Sequence, residues 1–237
     1  MVTEKYRVYF SDVDKNYKLT SVALLRAFQN VVTTHANSVG DVVVGNTHAW
    51  FLTAYKVRIF RRPEMESEYY LSTWSRGVNG FIASREFEAR DEKGNLLLCA
   101  VSNWVRVNKS TGKMERATPE IVSAYGKEEK TNFDFVWIPK LQECERVDFE
   151  RTLKIERNFI DGNNHVNNVA YLDLANIALP QGVYDTFDSK EFDIMYKIGI
   201  KCGDEVSLLF TEEDSYYNVT VKSEDKSVLH AIIRFYK

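Results

Sequence analysis

Two copies of one segment lie 147 residues apart in this chain, and this repetition restricts the fold more than any other feature of the sequence. Residues 160–172 align with residues 13–25 without a gap, with identical Asp, Asn, Val, Ala and final Leu. Two weaker matches follow in the same order, 196–200 with 55–59 and 228–232 with 97–101. The offset falls from 147 to 141 to 131, as shorter loops in the second half would produce. The matches predict a duplicated domain of about a hundred residues.

The length and composition of the chain fit two domains. Its 237 residues are enough for two ordinary domains, and a hydrophobic content of 44% allows each to bury a core. We predict an N-terminal domain over residues 1–117 and a C-terminal domain over residues 148–237. The intervening residues 118–147 are irregular and contain Gly126 and Pro139, which favours an interdomain linker.

The first half is expected to contain one helix followed by strands. Ser21 can cap a helix that Gly40 ends. The apolar face expected for this helix comprises Leu24, Phe28, Val31, Val32, His35 and Val39. Runs rich in aromatic and β-branched residues predict strands at 51–60, 69–76, 81–90 and 96–107.

The second half repeats this order. A helix is expected from about Asn168 to Leu179, with Pro180 and Gly182 ending it. Strands are predicted at 192–202, 206–211, 216–222 and 228–236. One helix followed by an antiparallel meander has few compact solutions, and the simplest is a sheet curled around the helix. The predicted fold class is therefore α+β, with one such arrangement in each half.

Charge and cysteine content argue against several classes of function. The net charge of −3 and the pI near 5.9 give no general affinity for nucleic acid or anionic membranes. Cys99, Cys144 and Cys202 have no CxxC spacing, so neither a zinc site nor a disulfide framework is indicated. Free thiols suit a reducing cytosol, and the chain starts with a strand-like alternation rather than a leader peptide or membrane span. We expect a cytoplasmic protein with no cofactor and no metal.

The second copy of the repeated segment carries side chains suited to hydrolysis. Asp161, Asn163 and His165 alternate in a loop ahead of the second helix, so an acid, an amide and an imidazole can converge on one point. Lys18 stands in the first copy where His165 stands in the second, which indicates that the first half lost this chemistry. The competing interpretation is structural, because Asn-rich loops often only cap helices and a lone histidine is usually a surface residue.

These residues resemble the acyl-acyl carrier protein (acyl-ACP) thioesterases, a family of plants and bacteria. The sequence Asp161-x-Asn163-x-His165-Val166-Asn167-Asn168-x-x-Tyr171 is similar to the active-site motif of that family. Stretches of the first half that resemble its N-terminal domain lie at residues 49–53, 61–63, 73–74, 85–91, 102–105 and 108–111. The resemblance runs from about Tyr6 to the C-terminus. It implies a tandem hotdog fold, in which a curved antiparallel sheet wraps a central helix in each half.

The resemblance also implies a reaction, the hydrolysis of a fatty acyl thioester on acyl carrier protein to a free fatty acid. It identifies Asp161, Asn163 and His165 as the catalytic set. Histidine ordinarily changes charge near neutral pH and can act as general base, while an asparagine amide can hold the attacking water or the carbonyl. Asp161 can orient either neighbour or polarise the water. Backbone N–H groups at the helix start, near Asn168 and Val169, are candidate oxyanion donors and substrate contacts.

One position departs from the family pattern. The family places a glutamate three residues after the tyrosine that matches Tyr196, and this chain has Gly199 there. No carboxylate occurs between Asp193 and Asp204, so a shifted register does not recover one. Either Asp161 supplies the acid function alone or the mechanism is differently arranged.

Other histidines and cysteines carry weaker predictions. A nucleophilic Cys202 paired with His165 is disfavoured, because cysteine is more often a small buried hydrophobe. His35 is expected to line the core or a pocket, since it falls on the apolar face of the first helix. His48 and His230 have no partner spacing and receive no predicted role.

In the resembled family the N-terminal half is associated with selection of acyl-chain length. Candidate pocket residues there are Leu24, Phe28, Trp50 and Phe51, and ordinary core packing explains them equally well. A basic cluster would suit the strongly acidic acyl carrier protein as a partner. The candidate docking residues are Arg58, Arg61, Arg62, Lys197 and Lys201. The two lysines are expected on one face of a strand.

Three other functions compete with this interpretation. An acyl-coenzyme A thioesterase would use the same mechanism, although the sequence contains no phosphate-binding loop. A non-catalytic acyl-binding hotdog protein would explain Gly199. A hotdog dehydratase also needs a histidine and an acid, but the Asn-rich loop fits it less well. Both a monomer and a homodimer are compatible with a tandem fold.

Overall fold

The two copies of the repeated segment lie in separate units of the computed structural model, which describes residues 1–42, 45–135 and 138–237. The first unit is Met1–Ile138 and the second is Pro139–Lys237. Their boundary falls inside the segment that the sequence marks as a linker. Residues 136 and 137 of that segment lie outside the described residues.

The first unit is an antiparallel sheet with one long helix against it. Its elements in chain order are β1 (Val2–Arg7), α1 (Ser21–Ser38), β2 (His48–Ile59), β3 (Glu68–Asn79), β4 (Ile82–Asp91), β5 (Leu96–Asn108), β6 (Met114–Glu115) and α2 (Pro119–Tyr125). The sheet order is β1-β3-β4-β5-β2, with the short β6 beside β5. The helix α1 packs against β1 and β3. The four strands predicted for this half correspond to β2, β3, β4 and β5 to within three residues at each end.

The second unit repeats this topology. Its elements are β7 (Phe149–Lys154), α3 (Ala170–Ala178), α4 (Gln181–Thr186), β8 (Glu191–Tyr196), β9 (Glu205–Glu212), β10 (Tyr216–Ser223) and β11 (Leu229–Tyr236). The sheet order is β7-β9-β10-β11-β8, all antiparallel, with α3 against β7, β9 and β11. In both units the first strand pairs with the third and the fifth strand pairs with the second. The predicted α+β class is confirmed for each half.

Side-chain capping and burial explain the limits of α1. The hydroxyl of Thr20, rather than the predicted Ser21, accepts the N–H of Ala23 at 3.1 Å and starts the helix. Past its end Gly40 has φ of 78°, a left-handed conformation that glycine adopts without strain. The predicted apolar face is buried at Leu24, Phe28, Val31 and His35, whereas Val32 and Val39 are only partly covered.

Two predicted limits in the second unit are wrong. α3 ends at Ala178, with Leu179 as its C-cap before Pro180, close to the expected end, but Gly182 lies inside α4 and does not end a helix. The strand predicted at 192–202 stops at Tyr196, because pairing with β11 covers only Glu191–Tyr196. The residues that follow leave the sheet and make other contacts, which determine the geometry of the candidate site.

Part of the predicted linker is packed onto the first unit. After α2, residues 127–135 form a strap, named here for its path along β3 and β4. Glu128 N–H donates to the Ser75 carbonyl at 2.9 Å, and Trp74 Nε1 donates to the Lys130 carbonyl at 2.9 Å. At its end Phe133 is buried in a cluster with Ala54, Cys99, Val101 and Ile138. This stretch therefore belongs to the first unit.

A buried carboxylate fastens the strap to β4. Glu86 is fully buried, and its Oε2 accepts the side-chain N–H of Asn132 at 2.8 Å. Arg76 Nη1 lies 3.0 Å from the other oxygen. Burial raises the pKa of Glu86, while Arg76 and Asn132 act in the opposite direction. The buried Glu86 carboxylate thus depends on the strap for part of its hydrogen bonding.

None of the helices in the described ranges combines the length and the apolarity that crossing a lipid bilayer requires. Of the cysteines, Cys99 is buried, Cys144 is half-buried and Cys202 is exposed, and all are free thiols.

We expect Asn132→Ala to lower the free energy of unfolding by about 1–3 kcal/mol, because it removes donors from the buried Glu86 carboxylate. Urea denaturation of the purified chain measures this. Asn95→Ala is the matched control, since Asn95 bonds Asp91 on an exposed turn, and it should cost about 0.5 kcal/mol or less. Equal losses in the two variants would contradict the role assigned to the strap.

Candidate active site

The loop that carries the candidate catalytic residues is a tight turn built around Asp161. Asp161 Oδ1 accepts the Asn163 N–H at 2.8 Å, and the Asp161 N–H donates to the His165 carbonyl at 2.9 Å. Asn164 adopts φ of 60°, in the left-handed region that asparagine tolerates better than most residues. These contacts give the Asp161 carboxylate a structural role in shaping the loop that holds His165.

The first unit contains the same turn. Asp14 Oδ1 accepts the Asn16 N–H at 2.8 Å, the Asp14 N–H donates to the Lys18 carbonyl at 2.9 Å, and Tyr17 has φ of 59°. The backbone of the two copies is therefore alike in these three features. The difference lies in the side chains, since Lys18 occupies the place of His165.

The second loop is tied to residues after β8 and to the start of α3. The Val166 N–H donates to the Ile200 carbonyl at 2.8 Å. Asn167 accepts the Val169 N–H on its side-chain oxygen at 2.9 Å and the Ala170 N–H on its carbonyl at 2.9 Å. Asn167 is therefore the capping residue, and the N–H groups of Val169 and Ala170 are occupied. The expectation that Val169 supplies a free N–H at the helix start is wrong.

The imidazole of His165 lies directly against Gly199. A Cβ atom on Gly199 would be 2.8 Å from His165 Cδ2 and 3.3 Å from Cγ, closer than packed carbon atoms approach. The ring therefore fills the space that any side chain at position 199 would need. Within the described ranges, His165 Nδ1 is enclosed and has no hydrogen-bond partner. Packing rather than a carboxylate holds the ring.

A second histidine holds the segment that contacts this ring. His230 is buried, and its Nδ1 lies 2.8 Å from the Ile198 carbonyl. A carbonyl only accepts, so Nδ1 carries the proton. The Lys197 N–H donates to the His230 carbonyl at 2.8 Å. Both contacts fix the backbone immediately before Gly199.

Sequence reasoning gave His230 no role, although a signal was present. In the third repeat match His230 occupies the position of Cys99, a buried residue of the first unit. The imidazole of His230, which can donate a hydrogen bond, thus stands in the second unit where the first unit has the small side chain of Cys99. The second unit needs this donor because its chain leaves the sheet after Tyr196, whereas β2 continues to Ile59.

Two tyrosines support the start of α3. Tyr196 donates its hydroxyl to the Asn168 carbonyl at 3.0 Å, and its ring meets that of Tyr171 edge-on at 5.3 Å. Tyr171 is buried, and this burial raises the pKa of its phenol. Asn168, predicted to contact substrate, thus has its carbonyl occupied.

Asn163 differs from its neighbours in being open to solvent. Its side chain is exposed, and in the described part of the chain its amide has no hydrogen-bond partner. Val169 is buried. Over the same described ranges no group of three or more His, Cys, Asp or Glu side chains is placed to hold a metal ion.

The candidate pocket residues of the first half fall into three environments. Leu24 and Phe28 are on the buried face of α1, and Phe28 stacks on Phe87 with ring centroids 4.4 Å apart. Trp50 donates its indole N–H to Asp41 Oδ2 at 2.7 Å. Phe51 is 44% exposed. Leu24 and Phe28 thus act as core residues of the first unit.

The candidate docking residues also differ in their surroundings. Arg61 pairs with Asp91 at 2.5 Å. Arg62 donates to the Leu19 carbonyl at 3.0 Å, at the end of the first turn. Arg58 lies over the Phe133 ring, 5.3 Å from its centroid. These three arginines have contacts within the first unit.

The strand placement expected for Lys197 and Lys201 is wrong, because both lie in the exposed segment after β8, on either side of Gly199. Neither lysine forms an ion pair with any described residue. The backbone N–H of Lys201 donates to Asp204 Oδ2 at 2.8 Å, which leaves its ammonium group to solvent. Of the five docking candidates, these two have the most available charge.

Two further groups have other roles. Cys202, placed on a strand by the sequence, lies exposed in the turn before β9, and no contact among the described residues joins it to His165. His48 Nε2 lies 2.8 Å from Glu115 Oε2, which ties β2 to β6.

Comparison with known proteins points to one family. Sequence profiles described as the acyl-ACP thioesterase N-terminal domain and C-terminal domain match residues 1–125 and 142–235. The oleoyl-acyl carrier protein thioesterase 2 of Arabidopsis thaliana, a chloroplastic protein, is 26% identical over 89% of this chain and 62% of its own length. The oleoyl-acyl carrier protein thioesterase of Coriandrum sativum is 24% identical over 89% and 62%. The chain thus spans about three fifths of these curated relatives.

Solved structures share the fold. An acyl-ACP thioesterase from Bacteroides thetaiotaomicron matches 100% of this chain and 97% of its own, with a TM-score of 0.87 and 22% identity. The 12:0-ACP thioesterase from Umbellularia californica matches 100% and 96%, with a TM-score of 0.88 and 19% identity. The predicted tandem hotdog fold is confirmed.

We expect Gly199→Ala to displace the His165 imidazole, because the added Cβ would lie 2.8 Å from Cδ2. The ring resonances of His165 in a ¹H–¹³C NMR spectrum should shift, while the urea midpoint changes little. Gly182→Ala is the matched control, since nothing lies within 4 Å of a Cβ there. Unchanged His165 resonances in Gly199→Ala would refute the packing argument.

Proposed function

We propose, from the premise that this chain belongs to the acyl-ACP thioesterase family, that it hydrolyses the thioester of a fatty acyl-acyl carrier protein. The products are a free fatty acid and the carrier protein with its thiol. Membership of the family supports the reaction class. One observation supports the assignment to the second unit. The two turns have the same backbone hydrogen bonds, but the side chain at their fifth position is His165 in one and Lys18 in the other.

In the proposed reaction His165 is the general base. Its Nδ1 is enclosed, so Nε2 is the nitrogen left to take a proton from water. The resulting hydroxide attacks the carbonyl carbon and forms a tetrahedral intermediate. Collapse of the intermediate breaks the C–S bond, and the imidazolium returns its proton to the leaving thiolate. A positioned general base typically contributes about 10²–10⁴ in rate.

Asn163 is the candidate partner of His165 in this reaction. Its exposed amide can donate to the thioester carbonyl, whose oxygen becomes negative in the tetrahedral intermediate, or can hold the water. One donor to an oxyanion is worth about 10²–10³ in rate. The occupied N–H groups of Val169 and Ala170 increase the importance of this amide.

Asp161 acts through the loop in this proposal. Its carboxylate accepts the Asn163 N–H, and its own N–H bonds the His165 carbonyl, so it fixes the backbone of both partners. We propose this positioning in place of the orienting carboxylate that the family resemblance implies at position 199. The chemistry then depends on one imidazole and one amide.

A non-catalytic acyl-binding protein is the second candidate function. It is favoured by the enclosed His165 Nδ1, which has no acceptor among the described residues to orient or polarise the ring. Such a protein would bind acyl thioesters and leave them intact. Wild-type hydrolysis at the background rate would select this function.

We expect His165→Ala and Asn163→Ala each to lower kcat/KM for acyl-ACP at least about tenfold, because each removes a group acting on the reacting atoms. Release of the carrier thiol measures the rate, and circular dichroism verifies folding. Identification of the acids released from a mixed acyl-ACP pool gives the chain length.

The duplicated turn supplies matched controls for these variants. Lys18→Ala and Asn16→Ala make the corresponding changes in the first unit, where the backbone is the same. Both should keep wild-type kcat/KM to within about twofold. Equal losses from the two turns would contradict the assignment of chemistry to the second unit.

Carrier recognition is proposed to involve Lys197 and Lys201, whose exposed charges flank Gly199. We expect the double variant Lys197→Glu, Lys201→Glu to raise KM for acyl-ACP about fivefold or more, with a smaller change in kcat, because acyl carrier protein is acidic. The effect should weaken as salt is added.

Three comparisons test this recognition. Lys93→Glu changes an exposed lysine in the β4–β5 turn and should leave KM unchanged. A small thioester such as acyl-N-acetylcysteamine should be hydrolysed equally by the double variant and the wild type. Acyl-coenzyme A with the same acyl chain should be a poorer wild-type substrate than acyl-ACP. A better rate with acyl-coenzyme A would overturn the carrier assignment.

A further inference from the structure

A buried guanidinium in the first unit has no carboxylate paired with it among the residues that the structure describes. Arg85 on β4 is only 7% exposed, yet no described Asp or Glu forms an ion pair with it. Burial lowers the pKa of Arg85 to about 10, so the side chain still carries its charge at neutral pH. Burying an unpaired charge is costly, and such charges ordinarily have an ionic partner.

The protein uses one of the three nitrogens of this guanidinium. Nη1 donates to His35 Nδ1 at 2.8 Å and to Thr73 Oγ1 at 3.2 Å. Nε and Nη2 have no hydrogen-bond partner in the described part of the chain. Enclosed side-chain atoms lacking a hydrogen bond, over the same ranges, are Glu86 Oε1 and His165 Nδ1. Nε and Nη2 of Arg85 are not among these enclosed atoms, so this edge of the guanidinium is accessible rather than covered by protein.

The groups around Arg85 do not neutralise it. Arginine only donates, so His35 Nδ1 must accept and this imidazole is neutral. Burial lowers the pKa of His35 to about 4, and the nearby Arg85 acts in the same direction. Tyr125 places its ring 5.4 Å from the guanidinium carbon and provides only a cation–π contact.

The acidic group that bonds Tyr125, Asp41, is already engaged. Asp41 Oδ2 accepts the Tyr125 hydroxyl at 3.0 Å and the Trp50 indole N–H at 2.7 Å. Its Oδ1 accepts the Asn46 side chain at 3.0 Å. Asp41 thus holds Tyr125, whose ring faces the cation, and no acceptor among the described residues reaches Nε or Nη2 of Arg85.

We propose that the first unit contains a binding site for a carboxylate, held in a bidentate manner by Nε and Nη2 of Arg85. These two nitrogens form the edge of the guanidinium whose parallel N–H groups match the two oxygens of a carboxylate. Thr73 and His35 position the guanidinium from its other side.

The core beside Arg85, on the same face of the sheet, is apolar and buried, and these surroundings favour a carboxylate with an alkyl chain over a small hydrated anion. Phe87 follows Arg85 by two residues on β4 and so shares its face. Phe28 stacks on Phe87 at 4.4 Å, and Tyr55 lies 6.0 Å from Phe87. A fatty acid offers both groups, and this part of the inference rests on the proposed function, whose product is such an acid.

Calorimetric titration with decanoate and decanol tests the site, because these ligands share a chain and differ in charge. The wild type should bind decanoate at least about tenfold more tightly than decanol, as a charge-assisted bidentate pair predicts. Arg85→Met should reduce this preference to about twofold or less. Decanoate has no thioester, so the result is independent of hydrolysis and distinguishes this inference from the proposed function.

Arg90→Met is the matched control. Arg90 lies on the same strand but already pairs with Glu88 at 2.9 Å, so its removal should leave the decanoate preference unchanged. Arg85→Lys is the second variant if Arg85→Met does not fold, and it should also weaken decanoate binding, because lysine keeps the charge and loses the fork. Equal affinity of the wild type for decanoate and decanol would overturn the proposal.

Competition in the wild type requires no variant. Acetate should weaken the binding of decanoate and leave that of decanol unchanged. Inorganic phosphate should compete less well than acetate, because the free edge matches one planar oxyanion. Stronger competition by phosphate would reassign the site to a phosphate group, and no competition by either anion would refute it.

Discussion

The turn in which an aspartate carboxylate binds the backbone two residues later is the interaction on which both units depend. Asp14 and Asp161 each close this turn, and each places the following segment against its own unit. A side-chain acceptor of this kind satisfies N–H groups that a short loop cannot pair with its own carbonyls. Because the turn is made by a short side chain and the backbone, the residue at its fifth position is free to change. Lysine and histidine occupy that position in the two units.

The two units show how one backbone supports different chemistry. In the second unit the chain leaves the sheet after Tyr196, and His230 holds the displaced segment against the imidazole. In the first unit β2 continues, and the polar group buried near α1 is Arg85 with His35. We infer a site for hydrolysis in one unit and for an anion in the other. Each is built from side chains that differ between the repeats.

Much of the fold could be predicted because its signals are local. Aromatic and β-branched runs separated by turns located the strands, and the gapless repeat indicated two alike units. The sequence 197–202 continues to alternate like a strand, so nothing local marks the end of β8. That end is determined by Ile200 and by Ile198, whose carbonyls bind the Val166 N–H and the His230 ring. The strap was missed for the same reason, since its partners Trp74 and Glu86 are distant in sequence.

The candidate site was predictable in its residue types and not in its packing. The repeat identified Asp161, Asn163 and His165. The absence of a glutamate at position 199 did not predict that the His165 ring fills the space of that side chain.

The His165 imidazole packs against Gly199, and this contact makes the replacement of Gly199 by a glutamate difficult in evolution. A glutamate introduced at position 199 would meet the ring, so this substitution requires a second change that moves the imidazole or its loop. The residue at position 199 and the position of His165 are therefore coupled, and a carboxylate there can be acquired only by changes made together.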